Sequence, residues 1–335
     1  MLWLALVCAW LLAGATSTAA AQRTDPFLDA GGTVLIATPT LDGRVQGSYM
    51  GSVLSTYRQF IVDNAVPGWT VDQVSLAKIS NVATARAMLA SYFLDNPRFK
   101  AVVFVDEDIS FPPGAIERLL RSGKDVVGVP CAKKHVSWAN VKHAVESGWV
   151  QQGESWEPMA YEFALQPLQD GQRDLPNGWF YAHRTPDENG FLQISRLGTA
   201  MLMIRRHVIE RMMEAYAHEV GYNGGQRPGE PPPVANLFMT YVEEPEGSPP
   251  GTRLHVPEDY AFCERWKRLG GTIWVDTKSH ITHTGYYDFR GDHWFRKYER
   301  VPWVVRMPWA DDPTDFGGKI EPDVADSIGQ GKQEL

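Results

Sequence analysis

The chain has 335 residues, 44% of them hydrophobic and 21% charged, with a net charge of -8 and a pI near 5.6. That length suits one large or two smaller soluble domains, and the acidic balance excludes wholesale binding to nucleic acid or anionic membrane. Only Cys131 and Cys263 lie beyond the first 21 residues, so the chain is no disulfide scaffold and holds either one optional bridge or two free thiols.

Residues 1–22 carry no charged side chain, and Leu2 to Ala13 form an apolar run. Ala19-Ala20-Ala21 before Gln22 fits a signal-peptidase site, although the basic n-region is missing. The run is shorter than the ~20 apolar residues of a full membrane span. This segment reads as a signal peptide or an N-terminal anchor, and membrane attachment is expected only if it stays uncleaved. The ending Lys332-Gln333-Glu334-Leu335 differs by one residue from the K-D-E-L retrieval address. Both ends together point to the secretory pathway and the endoplasmic-reticulum lumen; a misassigned start would make the protein cytoplasmic.

Between these ends, residues 30–300 read as a single domain. "GGTVLIATPT" (Gly31 to Thr40) predicts a β-branched strand ending at a Pro-containing loop. Val82, Ala85, Met88, Leu89, Tyr92 and Phe93 recur at helical spacing, with Ser80 or Asn81 as N-cap and Asp95-Asn96-Pro97 as the stop. "AVVFV" (Ala101 to Val105) is a buried strand that runs into Asp106-Glu107-Asp108. A short helix through Ile116, Leu119 and Leu120 follows, closed by Gly123, and "DVVGVP" (Asp125 to Pro130) is another strand. The alternation predicts an α/β fold with a mainly parallel, Rossmann-like sheet flanked by helices.

Residues 131 to about 190 lack clean periodicity, which suits irregular loops. Trp138, Trp156 and Trp179 there are candidate stacking platforms, with core packing or an interface as the competing use of each. Lys133-Lys134 are candidates to meet phosphate, with plain solvation as the competing use. "LGTAMLMI" (Leu197 to Ile204) leads into an amphipathic helix through Val208, Ile209, Met212 and Tyr216. Gly221 to Pro250 reads as loop. "PEDYAFCERWKRLGGTIWVDTKSHITHTG" gives a helix, a Gly270-Gly271 stop, a strand and a His-bearing loop. Beyond about Asp311 a poorly ordered tail is expected.

Three adjacent carboxylates raise one another's pKa unless a cation offsets them. In extended geometry Asp106 and Asp108 project to one side and Glu107 to the other. Oxygen ligands at that spacing suit Mg²⁺ or Mn²⁺, whereas an acidic loop capping the next helix is the competing reading. Glu258 and Asp259 have a similar alternative as first-turn acids, and His280 and His283 as surface imidazoles.

The ordered segments "VFVDEDISFPP", "KDVVGVPCAKK", "LGTAMLMIRR", "PEDYAFCERWKRLGGTIWVD" and "HTG" resemble nucleotide-sugar-dependent glycosyltransferases of the GT-A fold, over about Thr33 to Gly285. They are most similar to a viral and microbial group with an E-D-x-x-F-C-x-R-W helix and a later H-x-G. The resemblance implies that Asp106-Glu107-Asp108 is the D-x-D element, with Asp108 ligating the metal and Asp106 near the ribose or metal. His283 matches the late metal ligand and Asp259 the base of inverting members, with Glu258 beside it; in retaining transfer Asp259 would instead position a substrate. Thr38, Pro39 and Thr40 match the first-strand loop that holds uracil and ribose. Arg86 falls where the family often has Arg-Asn facing the nucleotide, although here Ala87 follows. Gly198-Thr199-Ala200 matches a G-T-G-like turn near the acceptor.

The resemblance thus implies a Mn²⁺- or Mg²⁺-dependent hexosyltransferase using a UDP-sugar donor and a carbohydrate, glycoprotein or small-molecule acceptor, with no nucleic-acid partner. A nucleotidyltransferase, a degenerate carbohydrate-binding protein and a two-His-one-carboxylate iron oxygenase are the competing readings. The first normally needs a Gly-rich basic loop that "ATPTLDGRVQGS" lacks, and the last fits poorly with buried parallel strands.

Overall fold

In a computed structural model, the described residues are 25–146, 148, 150, 155–168, 173–175, 179–182, 185–222, 234–244, 248–291 and 303–306. The signal or anchor segment and the tail beyond 311 lie outside them. The chain divides into two units, residues 1–31 and 32–335. Of the first, the described part is the one-turn helix α1 (Pro26–Asp29), capped by the Asp25 side chain, which accepts from Phe27 N at 3.0 Å. Everything below concerns the second unit.

Its centre is a seven-stranded sheet in the order β2-β1-β3-β11-β5-β16-β9. The strands are β1 (Gly32–Thr40), β2 (Trp69–Ala77), β3 (Phe99–Val105), β5 (Val126–Gly128), β9 (Phe191–Ile194), β11 (Met201–Arg205) and β16 (Ile273–Asp276). β1 is parallel to β2 and β3, and β5 to β16, whereas β11 and β9 run antiparallel to their neighbours. The mainly parallel α/β architecture expected from the sequence is therefore observed. Helices in this part are α2 (Gly47–Tyr57), α3 (Val82–Asp95), α4 (Ala115–Arg121), α5 (Trp138–Glu146), α6 (Glu157–Ala160), α7 (Arg206–Val220) and α8 (Glu258–Arg268).

Alternation along the strands explains why they read as unbroken apolar runs. Leu35, Val102, Phe104, Leu202 and Ile204 point into one large cluster shared with α3, α7 and α8. Their neighbours Val34, Ile36, Val103, Met201 and Met203 are just as buried on the other face, where Tyr49 of α2 meets Thr38. Burying each such side chain contributes roughly 1.5–3 kcal/mol. Phe104 packs edge-on to Phe238, at 5.3 Å between centroids, and Phe238 stacks on Phe262 of α8 at 4.9 Å. Among the described residues no helix is long and apolar enough to cross a membrane.

Local signals account for most boundaries. Asn81 caps α3 by accepting from Thr84 N at 3.0 Å. Gly270, at φ 82°, ends α8 in a conformation that glycine adopts without strain. The expected loop at Pro39 is instead strand, because β1 pairs with β2 through Thr40 but with β3 only as far as Ala37. Pro39 thus lies where its missing N–H removes no rung to β3. The 131–190 region also holds the short helices α5 and α6, which periodicity did not reveal.

Peripheral strands complete the chain. β4 (Ile109–Ser110), β17 (Thr282–Thr284) and β18 (Asp288–Arg290) form a three-stranded sheet, as do β7 (Arg173–Leu175), β8 (Trp179–Ala182) and β19 (Trp303–Arg306). Two-stranded pairs join β6 (Leu165–Gln166) to β10 (Arg196–Leu197), β12 (Gly221–Tyr222) to β13 (Val234–Ala235), and β14 (Tyr241–Glu243) to β15 (Leu254–Val256).

Candidate active site

β3 stops at Val105, and the Asp106 carbonyl accepts from Ile109 N at 3.1 Å, which makes the acidic triplet a turn rather than extended chain. The strand-alternation rule therefore lapses, and the three carboxylates fan out to separate partners. Asp106 Oδ1 meets Arg86 at 2.8 Å. Glu107 accepts from Leu41 N at 3.1 Å and so ties down the loop after β1. Asp108 turns the other way, with Oδ2 on the Lys134 ammonium and Oδ1 3.4 Å from His283 Nε2.

His283 is placed there by backbone pairing. β17 runs antiparallel to β4 with His283 opposite Ile109, and Thr284 N donates to the Asp108 carbonyl at 2.9 Å. The expected His-bearing loop is thus a strand, whose register sets the imidazole beside Asp108. His283 Nδ1 lies 2.8 Å from the Ala132 carbonyl. A carbonyl only accepts, so Nδ1 carries the proton and Nε2 is left facing Asp108. This is the orientation that a metal-ligating histidine takes from a backbone carbonyl behind it.

Two donors of this set, the Asp108 carboxylate and the His283 imidazole, are of kinds that a divalent ion takes. Among the described residues no group of three or more His, Cys, Asp or Glu side chains surrounds one point. Asp108 and His283 would be the two side-chain ligands, with water and substrate oxygens completing the shell, as such ions prefer. Asp106 stays within electrostatic reach of both while held by Arg86. Burial opposes ionisation of Asp108, but the His283 and Lys134 contacts hold its carboxyl below the usual range. Burial pushes the Asp106 carboxyl up, with the Arg86 guanidinium pulling it down.

Arg86 differs most from its expected place. Its side chain is buried, 3% exposed for the residue, and bridges Asp106 to Glu258, the latter at 2.5 Å. It does not present a free guanidinium to a nucleotide; it fastens the acidic turn after β3 to the first turn of α8. The Thr38 hydroxyl is likewise taken up in the core, bonded to Tyr49 OH at 2.6 Å, and Thr40 Oγ1 donates to the Leu76 carbonyl at 3.5 Å.

Asp259 stands next to Glu258 at the start of α8. Burial and the Glu258 carboxylate lift it to about 6. Gly198 lies close: a Cβ there would be 3.4 Å from Asp259 Oδ2 and only 2.9 Å from Ala164 Cβ. Glycine is therefore required by close approach, and the G-T-A turn does border Asp259. Cys131 and Cys263 are both free and buried, Cys131 with Sγ 3.4 Å from His283 Nδ1 and Cys263 beside Leu197.

The partners Lys134, Ala132 and Leu41 carried little or no sequence signal. Lys134 belonged to a noted basic pair, but a backbone carbonyl or N–H has no residue type to read. The site as a whole lies beyond the carboxyl ends of β1, β3, β5 and β16, where ligands bind in open α/β sheets.

No protein-family model and no curated protein matches this chain. Several solved structures are weakly similar to this chain. One is A197 from STIV, at 14% identity and TM-score 0.39, covering 76% of this chain and 86% of that one. Another is 4-diphosphocytidyl-2C-methyl-D-erythritolsynthase from Anaerococcus prevotii DSM 20548, at 11% identity and TM-score 0.27, covering 61% and 82%. A third is GalNAc-T7 with UDP, GalNAc and Mn2+, at 9% identity and TM-score 0.35, covering 88% of this chain and 47% of that one. At these values the likenesses carry no argument about this chain.

Proposed function

We propose that the protein is a divalent-metal-dependent glycosyltransferase, moving a sugar from a nucleoside diphosphate donor, UDP in the first instance, to a hydroxyl acceptor. The observation that carries this reading is the meeting of Asp108 Oδ1 and His283 Nε2 at 3.4 Å, with Nδ1 engaged by the Ala132 carbonyl. The UDP assignment rests on the five ordered segments of the GT-A resemblance.

An ion held by Asp108 and His283 would supply Lewis-acid neutralisation of the diphosphate leaving group. Lys134 keeps the second Asp108 oxygen engaged and brings a further positive charge to the same edge. Asp259, lifted to about 6, is ionised at neutral pH yet basic enough to take the acceptor hydroxyl proton as it attacks. Glu258 keeps that lift in place by its charge, and Arg86 holds Glu258 and Asp106 in position.

Titration calorimetry of UDP into the protein tests the reading. Binding with Mn²⁺ or Mg²⁺ and none in excess chelator is expected; equal affinity in both conditions would overturn it.

A further inference from the structure

We infer that Trp138 and Trp156, with Tyr287 and Glu157, form a saccharide-binding platform beside the catalytic cleft, so that the acceptor is a glycan. This rests on the transferase reading for its role as an acceptor site, but not for sugar binding itself.

The two tryptophans are 67% and 37% exposed, and their rings lie against each other with centroids 5.6 Å apart and planes tilted by 35°. Tyr287, 49% exposed, donates its hydroxyl to Glu157 Oε1 at 2.5 Å, one residue along from Trp156. Neighbouring Tyr286 is fully exposed. Tyr287 stands on a buried base: Phe289 packs edge-on to both Tyr287 and Tyr161, at 5.4 and 5.6 Å, and is buried with Ala132 and Ala160. Rings this large are usually buried, and leaving them in water on a rigid support marks a binding surface.

Continuity with the site selects the occupant. Trp138 follows Lys134, the partner of Asp108, by four residues and Tyr287 follows His283 by four, so at most about 14 Å of chain separates each ring from the candidate site. The Lys134 alkyl chain joins the two segments by lying over Gly285, where a Cβ would come 3.2 Å from Lys134 Cδ. A molecule bound here and reaching that cleft should offer flat C–H faces to the indoles and hydroxyls to the Glu157 carboxylate and the Tyr287 oxygen. Sugar rings have both.

The test is titration of the full chain with soluble neutral oligosaccharides of glucose, mannose and N-acetylglucosamine, alongside UDP titrations with Mn²⁺. At least one oligosaccharide should bind the wild type. The pair Trp138→Ala/Trp156→Ala should weaken that binding about tenfold or more, given the worth of aromatic contacts. Trp138→Phe/Trp156→Phe should retain most of it, and Mn²⁺-dependent UDP affinity should not move in either variant. No binding of any oligosaccharide, equal binding by the alanine pair, or a wild-type dimer that the alanine pair dissolves would overturn the platform. Oligosaccharide binding that follows the rings without any Mn²⁺-dependent UDP binding would keep the platform and remove the transferase reading.

Discussion

At Asp259 chemistry and stability pull in opposite directions. Burial and the Glu258 charge raise its pKa from an ordinary 3.8 to about 6. A carboxyl raised on folding binds its proton more tightly in the folded than in the unfolded chain, so stability falls as pH rises through that window. Asp259→Asn should therefore gain on the order of 1–2 kcal/mol over wild type at pH 7, discounted for the partly open side of the carboxyl, and lose that advantage near pH 4. Urea unfolding at the two pH values reads this directly. The same variant should lose transfer while keeping nucleotide-sugar affinity, and wild-type transfer should rise with pH through about 6 and then level off. Full turnover by the asparagine variant would take Asp259 out of the base role. Arg86 shows the complementary case, in which a residue type was noticed and its geometry was not: its partners lie 20 and 172 residues away.

The element that makes the site is β17, three residues long. Its pairing with β4 puts His283 opposite Ile109, and a one-residue slip would turn the imidazole to the other face. Strands this short have no period to detect, so neither β4 nor β17 was visible in the residues. The ends of β3 and α8 were visible, because a long apolar run meeting three carboxylates and a helix closed by two glycines are local signals. Thr284→Pro removes the N–H that the Asp108 carbonyl accepts and breaks the middle strand of this sheet. Mn²⁺ affinity in the presence of UDP should fall about tenfold or more, as it does when the support behind a metal ligand is lost. Calorimetry measures this with circular dichroism as the folding control; an unchanged affinity would separate β17 from the ion site.

Across the whole molecule, the sheet gathers chemistry at one rim. β3 delivers Asp106 and Asp108, the chain after β5 delivers Cys131 to Lys134, and the chain after β16 delivers His283. The α3 and α8 helices bring Arg86 and Asp259 to that rim from their N-terminal ends, Arg86 in the second turn and Asp259 in the first. A ligand spanning several of these segments should stabilise the fold by mass action, by about 2.7 kcal/mol at a hundredfold excess over Kd. Thermal melts with UDP-sugars and Mn²⁺ should shift upward together, and much less with either component alone. An equal shift from the nucleotide alone would place its binding away from Asp108.

The sequence by itself determined the layered α/β class, the acidic strand end and the acids that open α8, since each follows from local periodicity, caps or residue type, whereas only the GT-A resemblance singled out His283 over His280. Only the tertiary structure decided that Asp106 belongs to Arg86, that the Thr38 hydroxyl is spent in the core, and that Trp138 and Trp156 meet at the surface. Those outcomes depend on backbone register and on contacts between segments far apart in the chain, for which no stretch of sequence carries a local free-energy preference.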